Sequence, residues 1–190
     1  MRSDYFKNTA YVRKTAVSSS IQKLDKKDDE LAFAKFFIER LNQFRKLNYR
    51  VVSSDEESSG ADIYATAENL ETLNLQLKTG EPGLERFWGR RRKLGSGMGI
   101  IDVNIEDLLA QIIRDSEKHY ANKENLTLLI TERYQPVFDK NYALRISTMF
   151  GNSSFKGIYI VKLPSFRASF PYEGQIVAIK DIFGNHGEVF

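Results

Sequence analysis

The most regular stretch of the chain begins at Asp28. Leu31, Phe33, Ala34, Phe37, Ile38, Leu41 and Phe44 return at spacings of three and four residues. That period lays apolar side chains along one face of an α-helix. Asp28 and Asp29 offer N-cap oxygens at its start. Tyr49, Arg50, Val51 and Val52 then read as a short strand, and residues 53–60, acidic and serine-rich, as a turn. Residues 61–67 and 73–78 read as two further strands around a turn at 68–71. In the last of these, Leu73, Leu75 and Leu77 alternate with Asn74, Gln76 and Lys78. A strand sends successive side chains to opposite faces, so Gln76 and Lys78 share one.

From Thr79 to Gly99 the periodicity lapses into a loop rich in glycine and arginine. Asn104 is placed to cap an amphipathic helix running to about Tyr120, with Ile105, Leu108, Leu109, Ile112 and Ile113 inward. Residues 126–130 read as a buried strand, 141–150 as a helix, 158–163 as a second buried strand and 175–179 as one more. The order is helix, three strands, helix, strand, helix, strand. It predicts an α/β fold, a mixed sheet flanked by helices, antiparallel at its start and parallel at its finish, with a short β-containing tail. The expected organisation is a basic N-terminal arm over residues 1–27, an α/β domain over 28–163, and an extension over 164–190 packed on the same domain.

Composition narrows the chemistry. The 190 residues are 42% hydrophobic and 28% charged, which argues for one folded domain rather than disorder. No apolar run is long enough to span a bilayer, so no membrane partner is expected. Cysteine is absent, which excludes disulfides and cysteine-held zinc and favours a cytoplasmic setting. His119 and His186 are the only histidines, so any metal would be held by oxygen ligands. The net charge is only +3, but the basic residues are gathered. Arg2, Lys7, Arg13, Lys14, Lys23, Lys26 and Lys27 lie in the arm, and Arg86, Arg90, Arg91, Arg92 and Lys93 in the loop after Lys78. Two basic segments in a nearly neutral chain point to an anionic partner, nucleic acid foremost. Trp88 and Phe87 add rings that could stack on a base.

Phosphodiester hydrolysis can use a hard cation held by carboxylate and carbonyl oxygens, with an ammonium near the attacking water. Asp62 stands at the start of one predicted strand, and Gln76-Leu77-Lys78 ends the next. Paired as a hairpin, these strands bring Asp62 to the face that carries Gln76 and Lys78. Asp62, the Gln76 amide oxygen and the Leu77 carbonyl could then share one ion, with Lys78 steadying developing charge. Asp55, Glu56 and Glu57 are rival carboxylates in a turn, where solvated charge is the default.

At these residues the chain resembles the PD-(D/E)XK nuclease superfamily. Its motif is an aspartate followed, on the next strand, by an acidic residue, any residue and a lysine. Asp62 and Gln76-Leu77-Lys78 match that spacing, with glutamine in the acidic place, and Glu39 matches the glutamate that many members carry on the first helix. The stretch from Phe37 through Tyr49-Arg50-Val51 to Gly60-Ala61-Asp62 is most similar to the Mrr-type restriction endonucleases, which often use glutamine there. The resemblance covers about residues 30–130. It implies a restriction-endonuclease-like α-β-β-β-α-β core and a Mg²⁺- or Mn²⁺-dependent endonuclease. It implies catalytic roles for Glu39, Asp62, Gln76 and Lys78, and metal ligation by Asp62, Gln76, Leu77 and Glu39. DNA is the expected substrate, with RNA open. A homodimer or protein partner is the route to cutting both strands. The competing expectation is a silent nuclease-fold module that binds nucleic acid or a protein.

Two other motifs carry less. Gly157-Ile158-Tyr159 matches the first half of the GIY-YIG signature without the second, and is read as an ordinary buried strand. Ser116 and His119 suggest part of a hydrolase pair, but no elbow surrounds the serine, so both are read as helix surface.

Overall fold

The computed structural model describes residues 26–53, 61–80, 105–132, 139–164 and 173–190. The element order is α1 (Lys26–Arg45), β1 (Arg50–Ser53), β2 (Ile63–Thr66), β3 (Leu73–Thr79), α2 (Ile105–His119), β4 (Leu126–Glu132), α3 (Lys140–Phe150), β5 (Gly157–Lys162), β6 (Gln175–Lys180) and β7 (Glu188–Val189). All seven strands form one mixed sheet, in chain order from β1 to β7.

Helix α1 buries Phe33, Ala34, Phe37, Ile38 and Leu41, the apolar stripe of the sequence. It begins at Lys26, two residues inside the segment expected to be arm. It ends in a Schellman turn: Lys46 takes a left-handed φ of 55°, and the Leu47 N–H donates to the Asn42 carbonyl at 3.0 Å. The Asn42 side chain then acts as a short strand partner for Tyr49. It accepts from the Tyr49 N–H at 2.9 Å and donates to the Tyr49 carbonyl at 2.8 Å. That bracket aims the chain into β1.

Strands β1, β2 and β3 are antiparallel neighbours, with Val51 opposite Ala65 and Ile63 opposite Leu75. β3, β4 and β5 are parallel. Two right-handed crossovers stepping the same way across a sheet must lay their helices on one face. Accordingly Leu109, Ile112 and Ile113 of α2 and Ala143 and Ile146 of α3 form one core with Leu128, Ile130, Ile158 and Ile160. Helix α1 covers the other face, against Leu73, Leu75, Leu77, Leu129 and Val161. Phe37 is fully buried there, its ring 4.8 Å from that of Tyr159. Truncating it to alanine should cost about 3–5 kcal/mol.

The sheet does not finish parallel as its pattern suggests. β6 returns antiparallel to β5, and β7 antiparallel to β6, so the C-terminal segment completes the sheet. Gly187, at φ 75°, makes the last turn; a side chain there would meet Leu144 of α3. α3 is capped by Asp139, whose carboxylate accepts from the Tyr142 N–H at 2.7 Å. Gly157, Ile158 and Tyr159 are wholly buried in β5, as an ordinary strand. Ser116 is buried rather than on the helix surface, whereas His119 is exposed. Among the described residues no helix is long and apolar enough to cross a membrane.

Candidate active site

The site forms where β2 begins to pair with β3. The Asp62 N–H, one residue before β2, donates to the Leu75 carbonyl at 3.0 Å. Alternate residues of a strand turn their N–H and C=O to the same neighbour. On β3, Lys78 and Gly80 face β4, where the Gly80 N–H donates to the Thr131 carbonyl at 2.7 Å and the Lys78 carbonyl accepts from the Thr131 hydroxyl at 3.4 Å. Leu75 and Leu77 therefore face β2. The Asp62 side chain links to β3 as well: its carboxylate accepts from the Leu77 N–H at 2.8 Å.

The same carboxylate oxygen accepts a hydrogen bond from the Gln76 side chain. A carboxylate can only accept, so it is the NH₂ of Gln76 that faces it. Gln76 is 4% exposed, pairs across the sheet with Leu128, and so points toward α2 and α3. Lys78, two residues on, lies on that face and is half-buried, its ammonium 5.1 Å from the centre of the Tyr120 ring at the end of α2. The structure thus brings together Asp62, Gln76 and Leu77, with Lys78 next along the strand.

Glu39 does not join them. It is exposed on α1, which packs on the opposite sheet face, and its side chain has no hydrogen bond or ion pair to another described residue. Arg86, Trp88, Arg90, Arg91, Arg92 and Lys93 lie outside the described residues, as do residues 1–25 of the arm and Asp55, Glu56 and Glu57. Among the described residues no three of the acidic, histidine or cysteine side chains are grouped to hold a metal ion.

A second concentration of charge sits at the other end of the sheet. Arg45, at the end of α1, donates to both Asp181 and Glu188. Asp181 is buried and also accepts from the Tyr159 hydroxyl at 2.6 Å. That hydroxyl in turn accepts from the Ile182 N–H at 2.9 Å, and His186 Nδ1 accepts from the Asp181 N–H at 3.0 Å. Burial first, and the Asp181 carboxylate second, push the Tyr159 phenol well above its ordinary range. The charged groups of this cluster are paired with one another, as a clamp between α1 and the C-terminal turn requires. Sequence periodicity gave no sign of it, because its members come from α1, β5, β7 and the turn between β6 and β7.

No protein-family model, no curated protein and no solved structure matches the chain.

Proposed function

We propose that the chain is a metal-dependent nuclease of the PD-(D/E)XK type acting on DNA, with Asp62, Gln76, Leu77 and Lys78 as its working residues. One observation carries the reading: the Asp62 carboxylate meets the Gln76 side chain and the Leu77 backbone where β2 begins. The antiparallel β1–β3 followed by a parallel β4, with α1 and α2 on opposite faces, supports the restriction-endonuclease-like core. The basic runs of the sequence support a polyanionic substrate.

The donor set suits Mg²⁺ or Mn²⁺. The Asp62 carboxylate, the Gln76 amide oxygen and the Leu77 carbonyl are hard oxygen donors, and the Leu77 backbone faces the side on which Asp62 lies. With one charged ligand, water and phosphate oxygens would complete the shell, a habit of Mg²⁺ sites. When bound, the cation supplies Lewis-acid stabilisation of charge developing on the scissile phosphate. The protein does the rest. Asp62 fixes the end of β3 through the Leu77 N–H. Gln76 would hold the cation through its amide oxygen, which would take the place of the NH₂ that now donates to Asp62. Lys78 sets its ammonium beside the phosphate, where it neutralises charge and orients the attacking water. Glu39 has no part in this proposal.

A second reading, a silent nucleic-acid-binding module, is favoured by one feature: the Asp62 carboxylate is already satisfied by protein donors. Plasmid nicking separates the two. The nuclease reading expects nicking in Mg²⁺ or Mn²⁺, and none in EDTA or in Asp62→Ala. Binding without nicking in any divalent cation selects the silent module.

A further inference from the structure

We propose that Tyr120 is the positioning residue for Lys78: its ring face seats the ammonium that the nuclease reading makes the catalytic cation. The inference rests on that reading for its purpose, and on the Lys78–Tyr120 geometry for its substance. The Lys78 nitrogen stands 5.1 Å from the ring centre, inside the range at which a cation is drawn to a π-face. The ring is itself held. Its neighbour Phe155, fully buried, meets it nearly edge-on with centroids 6.3 Å apart and planes at 68°. His119 closes on it at 4.9 Å and 87°. The Tyr120 N–H donates to the Ser116 carbonyl at 3.1 Å, fixing the end of α2 from which the ring projects. A buried core ring thus orients a half-buried ring, which in turn orients an ammonium.

The arrangement answers a problem set by the sequence. A lysine stem has several rotatable bonds, and at an open strand end it samples many rotamers. Gln76 beside it is locked by Asp62, and Lys78 has no carboxylate partner among the described residues. The π-face supplies attraction without a counter-charge. It therefore leaves the ammonium's full charge for an anion, where an ion pair would spend it on a protein carboxylate. A phosphate arriving at Asp62 meets a cation already restricted to one side of β3.

The test uses the full chain and two variants, Tyr120→Phe and Tyr120→Leu. The first readout is independent of cleavage: the ¹H–¹³C correlation of the Lys78 εCH₂ group, assigned with Lys78→Arg, in EDTA. Seated on the ring, these protons are shifted upfield in the wild type and in Tyr120→Phe, and return toward ordinary lysine values in Tyr120→Leu. Ordinary values in the wild type overturn the proposal, whatever the fate of the variants. The second readout is plasmid cleavage in Mg²⁺. Tyr120→Leu should lower kcat roughly three- to thirtyfold with KM little changed, and Tyr120→Phe should restore most of it. Equal losses in the two variants overturn a role for the ring face. A wild type that shows the upfield shift but never cleaves keeps the seat and sinks the nuclease reading instead.

Discussion

The Gln76 side-chain amide donates to the carboxylate of Asp62 across the β2–β3 pair. A glutamate at position 76 could not do so. Two carboxylates would face each other at hydrogen-bond distance, in a place only 4% exposed on the Gln76 side. The neutral residue therefore stabilises the fold where the acidic one would stabilise bound metal.

Gln76→Glu should trade one for the other. In EDTA the variant loses a charge-assisted hydrogen bond and gains like-charge repulsion, together worth about 2–4 kcal/mol. Its Tm should fall in EDTA and recover in Mg²⁺, and calorimetry should show metal binding at least about tenfold tighter. An unchanged Tm in EDTA with unchanged Mg²⁺ affinity removes Gln76 from the site.

Asp62→Asn separates charge from shape. The asparagine keeps an oxygen to accept from the Leu77 N–H, so the end of β3 stays in place. Stability should change by no more than about 1 kcal/mol, while Mg²⁺-dependent nicking is lost. Lys78→Ala should likewise remain folded and fail to cut. Full cleavage by either variant dismantles the assignment.

The convergence of Asp62 with Gln76 was legible because it needs only alternation along β3 and a hairpin between β2 and β3. Both are local, period-two signals. The seven-stranded order was less so. Ile176, Val177, Ala178 and Ile179 are all buried, and an apolar run announces burial without giving strand direction. The antiparallel return of β6 was therefore invisible. Glu39 shows the limit of a motif read along the chain. Its helix was correctly phased, but which sheet face α1 covers depends on the β1–β2–β3 turns, and that face is not the one Gln76 occupies. Tyr120 was legible only as a helix end; its contact with Lys78 is made by the crossover from β3 through α2.

The basic run after Lys78 should decide the substrate contact. Binding that neutralises duplex phosphates falls with salt at a log–log slope of about −0.9 per contact. Replacing Arg90, Arg91 and Arg92 together by alanine should flatten that slope by about two to three units and weaken all sequences alike. Trp88→Ala should weaken single-stranded or distorted sites most, by about 1–3 kcal/mol. An unaltered slope in the triple variant, measured on one duplex from low to moderate salt, moves the nucleic acid elsewhere, with the N-terminal basic residues next in line.

The clamp at the far end of the sheet predicts how stability responds to alkali. Tyr159 is buried, donates to Asp181 and accepts from the Ile182 N–H. Burial and the Asp181 charge both resist its ionisation, so its folded pKa lies well above the ordinary value of 10.0. A folded pKa above the unfolded one means the phenol's contribution is complete below pH 10. It is lost as pH rises from there toward the folded value, because the unfolded chain releases the proton first. Urea midpoints should thus be insensitive to Tyr159 between pH 7 and 9 and fall above about 10. Tyr159→Phe removes the titrating group and leaves the Asp181 carboxylate and the Ile182 N–H each short of a buried partner. It should be less stable at pH 7 by about 1–3 kcal/mol and lose less on going to pH 11 than the wild type does. Arg45→Ala should cost more, about 3–5 kcal/mol, since it strands a buried Asp181 without its counter-charge. Equal alkaline losses in wild type and Tyr159→Phe would show that some other group governs the transition.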